Sequence, residues 1–191
     1  AEDNIQLVNA TTAAQYFHLL RRQIHSPRRS PLVVFTPKQG LRMRETRSNL
    51  DELTTGSFCE TLDDPGVTDR SAVRRVVFCS GKVAWDAMAE RDRREAPVAV
   101  VRVEQLYPLP TEQMYGVLEF YPNAREVVWL QEEPENMGAW KFIEHRMWRV
   151  KERGYEFRHV ARVESGSPAT GSKTVHDQEL ADLMDETFSG F

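Results

Sequence analysis

Cysteine is scarce in this sequence, and several common catalytic and metal-binding motifs are missing. The only cysteines are Cys59 and Cys79, without C-x-x-C spacing, and the chain begins without a signal-peptide pattern. These absences argue against a disulfide scaffold or a spaced-cysteine zinc site, so we expect a reducing compartment. No H-E-x-x-H helix, G-x-S-x-G elbow or complete P-loop is present. The sequence therefore offers none of the usual signatures of zinc proteases, serine hydrolases or nucleotide hydrolases.

Long apolar runs are missing as well. No run approaches the roughly 20 residues that a membrane-spanning helix needs, so we expect no membrane crossing. A hydrophobic fraction of 40% and a formal charge of -4 are typical of an ordinary globular protein. The chain opens with AEDNIQLV and has no initiating methionine. We therefore expect residues 1–191 to form a single domain that is a fragment of a longer chain.

Positive charge is concentrated in one segment. Between residues 21 and 47 a single acid, Glu45, accompanies the cations Arg21, Arg22, Arg28, Arg29, Lys38, Arg42, Arg44 and Arg47. A basic segment in a net acidic chain indicates a local anion site rather than a nucleic-acid surface, because nucleic-acid binders usually carry a net basic domain. A solvated, arginine-rich surface is the alternative, and the sequence leaves both open.

Apolar periodicity predicts strands that alternate with helices. Strands are predicted at residues 5–8, 31–36, 73–79, 98–104, 126–130 and from 157 onward, and helices after 12, 82, 111, 140 and 174. In the first helix we expect a buried stripe at helical spacing that consists of Ala13, Tyr16, Phe17, Leu20 and Ile24. The run 31–36 is predicted to be buried on both faces of a parallel sheet, and 44–72 to be irregular with one helical turn around Leu50.

This alternation predicts an α/β fold, because parallel strands need crossover helices between them. In such sheets, functional residues gather in the loops at the carboxyl ends of the strands. Four loops meet that description here: 36–41, 80–82, 105–110 and 131–138. The turn Ser80-Gly81-Lys82 places amides and a lysine before a helix, which fits either an anion site or a plain tight turn.

Adjacent acids, Glu132 and Glu133, precede a proline in the stretch LQEEPENMGAW. They have the chemistry of general acids and bases, but no nucleophile or metal motif accompanies them. We therefore expect a structural or interface role, with Trp140 packed nearby. The histidines are scattered and are expected to be structural or on the surface, and Cys79 is expected to be a small core residue. No residue is assigned as catalytic.

Six segments, in this order, form a recognisable set: TAAQYFHLLRRQ, RRSPLVVFTPK, RVVFCSGKVAWD, VAVVRVEQLYPLP, YPNAREVVWLQEEPENMGAW and SPATGSKTVHDQE. Together they resemble the C-terminal region of the thiamine-diphosphate-dependent decarboxylase component of 2-oxoglutarate dehydrogenase complexes. The resemblance covers most of the chain and is weakest at 42–72 and 141–165. It implies a transketolase C-terminal-like, three-layer α/β domain with a mostly parallel five-stranded sheet.

The resemblance also implies how such a domain is used. In the full-length enzyme, thiamine diphosphate, Mg²⁺ and the catalytic groups belong to preceding domains, so we expect no cofactor and no catalysis in these residues alone. The full-length enzyme is a homodimer that oxidatively decarboxylates 2-oxoglutarate in the tricarboxylic acid cycle. It passes the succinyl group to a lipoyl succinyltransferase component.

Some bacterial members of the family bind acetyl-CoA or AMP on this domain through basic residues, which implies an effector site here. By motif, Arg22 of HLLRRQ and Lys38 of FTPK match effector positions. Arg29 is the third predicted position, although Ser30 stands where relatives place an arginine before the proline. The same comparison implies interface roles for Glu132, Glu133 and Trp140.

Two alternative functions remain open at this point. One is a free-standing binding module for a nucleotide or an acyl-CoA. The other is the same domain from a 2-oxoadipate-type dehydrogenase. For the preferred function, the expected location is a bacterial cytoplasm, or the mitochondrial matrix if the source is eukaryotic.

Overall fold

Two β-sheets organise the chain in the computed structural model, which describes residues 2–27 and 29–191. Arg28, part of the basic segment, lies outside the described residues. The strands are β1 Gln6–Val8, β2 Leu32–Val34, β3 Thr61–Leu62, β4 Arg75–Cys79, β5 Val98–Val103, β6 Gln105–Tyr107, β7 Glu126–Pro134 and β8 Glu156–Arg162. The helices are α1 Ala13–His25, α2 Leu50–Thr54, α3 Val83–Arg94, α4 Thr111–Leu118, α5 Trp140–Arg146, α6 Arg149–Glu152 and α7 Lys173–Thr187. A short 3-10 helix covers Lys38–Leu41.

The larger sheet has five strands in the order β3-β5-β4-β7-β8. Strands β5, β4, β7 and β8 run parallel, and only the edge strand β3 is antiparallel to its neighbour. Helices α3 and α4 lie in the connections between the parallel strands, as crossovers require. The predicted α/β fold with a mostly parallel five-stranded sheet is confirmed.

Both faces of this main sheet are covered by helices of the same chain. On one face, Val76 and Phe78 of β4 join a core with residues of α4, α5 and α6. On the other face, Val77 and Cys79 join a core with residues of α3 and α7. The alternation follows from the period of two residues in a strand, and it explains why all of β4 is buried. Cys79 is a core residue, as expected.

The smaller sheet has three strands in the order β2-β1-β6. Strand β1 pairs in parallel with β2 and antiparallel with β6. The prediction that 31–36 is buried on both faces was wrong, because Val33 is 40% and Phe35 46% exposed. A continuous apolar run predicts that both faces of a strand are covered, but the covering residues need not all belong to the same stretch of protein.

Helix α1 turns the opposite face to the core from the one predicted. Its inner face consists of the buried residues Ala14, Gln15, His18 and Leu19. Two of these are polar and are satisfied: Gln15 Nε2 donates to Cys59 O at 2.6 Å, and His18 Nε2 lies 2.8 Å from Glu52 O.

The predicted buried stripe instead forms an exposed surface, which we call the outer face of α1. It contains Tyr16, Phe17, Leu20 and Ile24, which are 39%, 45%, 43% and 81% exposed. Ala13, also predicted to be buried, is exposed too. The stripe was assigned wrongly because periodicity detects an apolar face without identifying which molecule covers it.

Other boundaries differ from the predicted ones in detail. Strands β3 and β6 were missed because β3 lies in the segment predicted to be irregular and β6 in a segment predicted to be a loop. Strand β7 continues to Pro134, so the predicted loop starts inside a strand. The helix predicted from 140 is divided into α5 and α6. The predicted turn around Leu50 is confirmed as α2. No helix in the described ranges is long and apolar enough to span a membrane.

Candidate functional site

A cavity of about 710 Å³ opens at the carboxyl ends of the strands, between the two sheets. We call it the crevice. All four loops that were predicted to gather contribute to it, including Thr36, Ser80, Lys82, Leu106, Tyr107, Gln131, Glu132, Glu133 and Gly138. The prediction that these loops meet is confirmed.

The crevice lies at the topological switch point of the main sheet. The chain leaves β4 and returns first as β5 on one side and later as β7 on the other. Loops that follow β4 and β7 therefore diverge and leave a gap above the sheet, which is where open α/β sheets bind ligands. Ser80 and Lys82 come from the first of these loops, and Gln131 to Glu133 from the end of β7.

Gln131 holds the loop after β7 in shape. Its Oε1 accepts from the indole Nε1 of Trp129 at 3.1 Å and from the backbone N–H of Trp140 at 2.9 Å. Its Nε2 donates to three backbone carbonyls, with Met137 O at 2.9 Å. Gly138 has φ +67°, and a Cβ there would lie 2.9 Å from Gln131 Nε2. The glycine of the GAW motif is thus required by backbone conformation and by this close approach.

Glu132 and Lys82 form an ion pair across the crevice. Lys82 Nζ lies 3.3 Å from Glu132 Oε2 and also pairs with Asp86 one helical turn ahead. Burial opposes the charge on Lys82, but the hydrogen bond to Asp86 and the nearby Glu132 raise the pKa of Lys82 above its ordinary value. Because two carboxylates already hold the amine, the Ser80-Gly81-Lys82 turn does not present a free cation to an anion.

Glu133 and Trp140 have different surroundings. Burial raises the pKa of the Glu133 carboxyl above its ordinary value, and the charge of Glu132 adds to this. Trp140 is 4% exposed and stacks on His159, with ring centroids 4.3 Å apart. The expected packing of Trp140 is confirmed. The interface role of Glu132, Glu133 and Trp140 stays a prediction, and Trp140 offers little surface for it.

Arg22 is engaged inside the chain. Its guanidinium donates to Glu60 Oε1 at 3.0 Å, Gln6 Oε1 at 2.9 Å and Gln105 Oε1 at 2.6 Å. The same group lies 4.3 Å from the centroid of the Phe58 ring. Burial lowers the pKa of Arg22 from its ordinary value, while Glu60 opposes that change. Arg22 therefore ties α1 to the smaller sheet.

The predicted effector residues do not all lie together. Gln6, which accepts from Arg22, donates to Ser30 Oγ at 3.2 Å, so the exposed Arg29 lies beside the Arg22 network. The exposed Lys38 begins a 3-10 helix that is linked through Thr46 to the amino end of α1. Arg22 lies about 13 Å along α1 from that end, at 1.5 Å per residue. The structure thus places Ser30, the neighbour of Arg29, at the Arg22 network and leaves Lys38 near the other end of the helix.

Metal ligands are not assembled in the described ranges, 2–27 and 29–191. No group of three or more His, Cys, Asp or Glu residues is placed there to hold a metal ion. Among the histidines, His18 is buried on the inner face of α1 and His159 stacks on Trp140.

Comparison with known proteins identifies the family. The model of the 2-oxoglutarate dehydrogenase C-terminal family matches residues 47–188. The chain belongs to this family. It is 42% identical to the 2-oxoglutarate dehydrogenase E1 component of Cupriavidus necator over 190 residues, which are 99% of this chain and 20% of that protein. It is 41% identical to the E1 component of Azotobacter vinelandii over 194 residues, again 99% of this chain and 20% of the relative.

A third relative, the E1 component of Bacillus pumilus, is 40% identical over 196 residues, with 99% of this chain and 21% of the relative covered. The chain therefore spans about a fifth of the length of the E1 components that it matches. The crevice, the Gln131-centred loop and the outer face of α1 all lie within the residues that align with these relatives, although α1 precedes the residues 47–188 that the family model matches.

Proposed function

We propose that this chain is the C-terminal domain of a 2-oxoglutarate dehydrogenase E1 component, and that its principal task is assembly with the rest of that enzyme. The observation that carries this proposal is the orientation of helix α1, whose more apolar face points away from the rest of the chain. The inner face contains Gln15 and His18, whereas the outer face contains Tyr16, Phe17, Leu20 and Ile24. A helix with its more apolar face uncovered has the pattern of an element that packs against a further protein surface.

The energy available from this face is substantial. Fully burying a large apolar side chain contributes about 1.5–3 kcal/mol, and the outer face offers four such side chains that are now 39–81% exposed. The loss of translational and rotational freedom that opposes association is smaller when both surfaces belong to one chain. Contact with preceding domains of the same protein is therefore the favoured use of this face.

For the complete protein we propose the activity that the relatives' name states: oxidative decarboxylation of 2-oxoglutarate. In our proposal the succinyl group passes to a lipoyl carrier, and the enzyme is a homodimer that works with a succinyltransferase component. Thiamine diphosphate and Mg²⁺ are assigned to parts of the protein outside this chain. The named relatives are bacterial, and we place the protein in a bacterial cytoplasm.

The assembly proposal is tested by placing one charge on the outer face. In the full-length protein, we expect Leu20→Glu to weaken packing of α1 against the preceding domains and to lower 2-oxoglutarate decarboxylation, measured by limited proteolysis and by turnover. Val175→Glu on α7 is the matched control, because Val175 is 46% exposed and Leu20 is 43% exposed. Equal behaviour of the two variants, with normal assembly, would contradict the proposal.

A second function, effector binding, is supported by the position of Arg29 beside the Arg22 network. We propose that an anionic effector, acetyl-CoA or AMP, binds at this end of α1, with Arg29 as its exposed cation. Calorimetric titration of each ligand into the chain is expected to give saturable heat that Arg29→Ala removes. Lys38→Ala removes the same charge from the other end of α1 and is expected to leave binding unchanged. No heat from either ligand would contradict this proposal.

A further inference from the structure

The crevice combines an apolar wall with a polar floor. The wall is formed by Leu7, Phe35, Leu106, Tyr107, Met137 and Phe142. Phe35 is 46% exposed in this structure, although its sequence pattern is that of a buried residue. A volume of about 710 Å³ is in the range of small-molecule sites, which are mostly apolar with a few fixed polar groups.

The polar floor includes oxygen atoms that lack hydrogen bonds beside groups, such as the Gln131 amide, that are fully paired. Three buried oxygens of residues lining the crevice have no hydrogen-bond partner within residues 2–27 and 29–191: Asn9 Oδ1, Ser80 Oγ and Glu132 Oε2. The ion pair between Glu132 and Lys82 is close but lacks the alignment of a hydrogen bond. Buried polar atoms without protein partners are uncommon in native proteins, and such atoms are usually paired with an ordered water or another bound group.

The turn between β4 and α3 lies against the Asn9 side chain. Gly81 has φ +77°, and a Cβ there would lie 2.3 Å from Asn9 Nδ2. Glycine is favoured here by its positive φ, and a larger residue would also have to displace the side chain of Asn9, which follows β1. Residues from the smaller sheet and from the main sheet are thereby held on one side of the crevice.

The charge balance favours a cation. The crevice is lined by two carboxyl side chains, Glu132 and Glu133, and by one amine, Lys82, which is held by Glu132 and Asp86. An anionic ligand would face these carboxylates and would have to displace one of them from Lys82. A ligand with a positively charged donor group would instead pair with Glu132 and supply protons to acceptors that now lack them.

We propose that the crevice binds a small organic cation, in which an ammonium, amidinium or guanidinium group is attached to an apolar or aromatic body. The charged group lies against Glu132 and Ser80, and the apolar body lies against Phe35 and Tyr107. This site is separate from the Arg22 and Arg29 region, and its test does not use the outer face of α1.

Benzamidine is the probe for this proposal, with benzamide as its neutral counterpart of nearly the same shape and benzoate as its anionic one. Titration into the ¹⁵N-labelled chain, followed by NMR, is expected to shift the amides of Gly81, Glu132 and Gly138. Benzamidine is expected to bind at least about tenfold more tightly than benzamide, because the ion pair forms in a partly desolvated site. Benzoate is expected to leave these amides unchanged.

Two variants test separately how the Glu132 carboxylate and the apolar wall contribute to binding. Glu132→Gln is expected to remove the preference for benzamidine over benzamide, while Phe35→Ala weakens both ligands. Glu156→Gln is the matched control, because it removes the same charge from an exposed position at the start of β8. Thermal unfolding of each variant establishes that it is folded.

The proposal is overturned if benzamidine and benzamide bind equally, or if benzamidine leaves the crevice amides unshifted. It is also overturned if Glu132→Gln keeps the full preference for benzamidine. None of these results affects the assembly test, which depends on the outer face of α1.

Discussion

The main sheet and helix α1 bury their apolar residues in different ways. Strand β4 is covered on both faces by helices of the same chain, so that every residue from Arg75 to Cys79 is buried. Helix α1 has one face on the smaller sheet and leaves Tyr16, Phe17, Leu20 and Ile24 exposed. The difference shows that an apolar stripe marks a surface that needs covering, whether or not the same chain covers it.

The largest expected effect compares two phenylalanines. Phe78 is 1% exposed in the main core and Phe17 is 45% exposed on α1. We expect Phe78→Ala to lower the free energy of unfolding by about 3–5 kcal/mol through lost burial and a cavity. Phe17→Ala is expected to change it by less than about 1 kcal/mol. Urea unfolding of the chain measures both, and similar losses would mean that α1 is not different from the core.

The next comparison concerns two cations of the basic segment. Arg22→Ala removes a guanidinium with three acceptors, Glu60, Gln6 and Gln105. We expect a loss of about 1.5–3 kcal/mol in unfolding free energy, because partly buried acceptors lose a charged donor. Lys38 is exposed, so Lys38→Ala is expected to stay within about 0.5 kcal/mol. Chemical denaturation measures both variants. A larger loss of unfolding free energy for Lys38→Ala than for Arg22→Ala would show that Arg22 does not link α1 to the smaller sheet.

A smaller effect is expected at Gly138. Gly138→Ala combines a positive φ with a Cβ contact to Gln131, and we expect it to cost about 1–3 kcal/mol. Gly154 has φ +86° with nothing within 4 Å of an added Cβ, so Gly154→Ala reports the backbone cost alone. Thermal unfolding of the two variants measures both costs, and the difference between them gives the cost of the contact with Gln131. Equal costs would show that the loop does not depend on it.

The smallest effect is the pH dependence from Glu133. The unfolded carboxyl has its ordinary pKa, and the folded pKa is raised by burial and by Glu132, with Arg162 opposing. As the pH rises from the unfolded to the folded pKa, the unfolded state ionises first, and folding loses stability. Glu133→Gln is therefore expected to be neutral near about pH 3.5 and stabilising at about pH 8. Urea unfolding measures the effect of Glu133→Gln on the free energy of unfolding at each pH. An equal effect at both pH values would contradict a raised pKa for Glu133 in the folded state.

Much of the fold could be predicted from sequence because the main sheet encloses its own core. Continuous apolar runs such as 73–79 and 98–104 are long enough for the period and the flanking turns to identify buried strands. Strands β3 and β6 have no longer apolar segment around them, whereas the equally short strands β1 and β2 lie within the apolar segments 5–8 and 31–36. The burial of α1 could not be predicted, because both of its faces carry apolar residues and only the tertiary structure decides between them.

The sequence predicted which loops line the crevice but not how their side chains are arranged, and the predicted effector cations Arg22, Arg29 and Lys38 do not line it. The rule that carboxyl-end loops gather located the crevice correctly. Gln131 was missed as the centre of its loop, because a glutamine at the end of a strand has no periodic signal and its five partners lie on the backbone and on Trp129. The GAW sequence was the available signal, since a glycine before a buried tryptophan indicates a close approach.

Hydroxyl-radical footprinting of Tyr16 and Phe17 tests the central claim, that the outer face of α1 is covered by other parts of the complete protein. Labelling is compared between this chain alone and the full-length protein, with the exposed Trp148 as an internal reference. Covering of the outer face predicts strong labelling of both residues in the isolated chain and a several-fold decrease in the full-length protein. Equal labelling in the two proteins would contradict the claim.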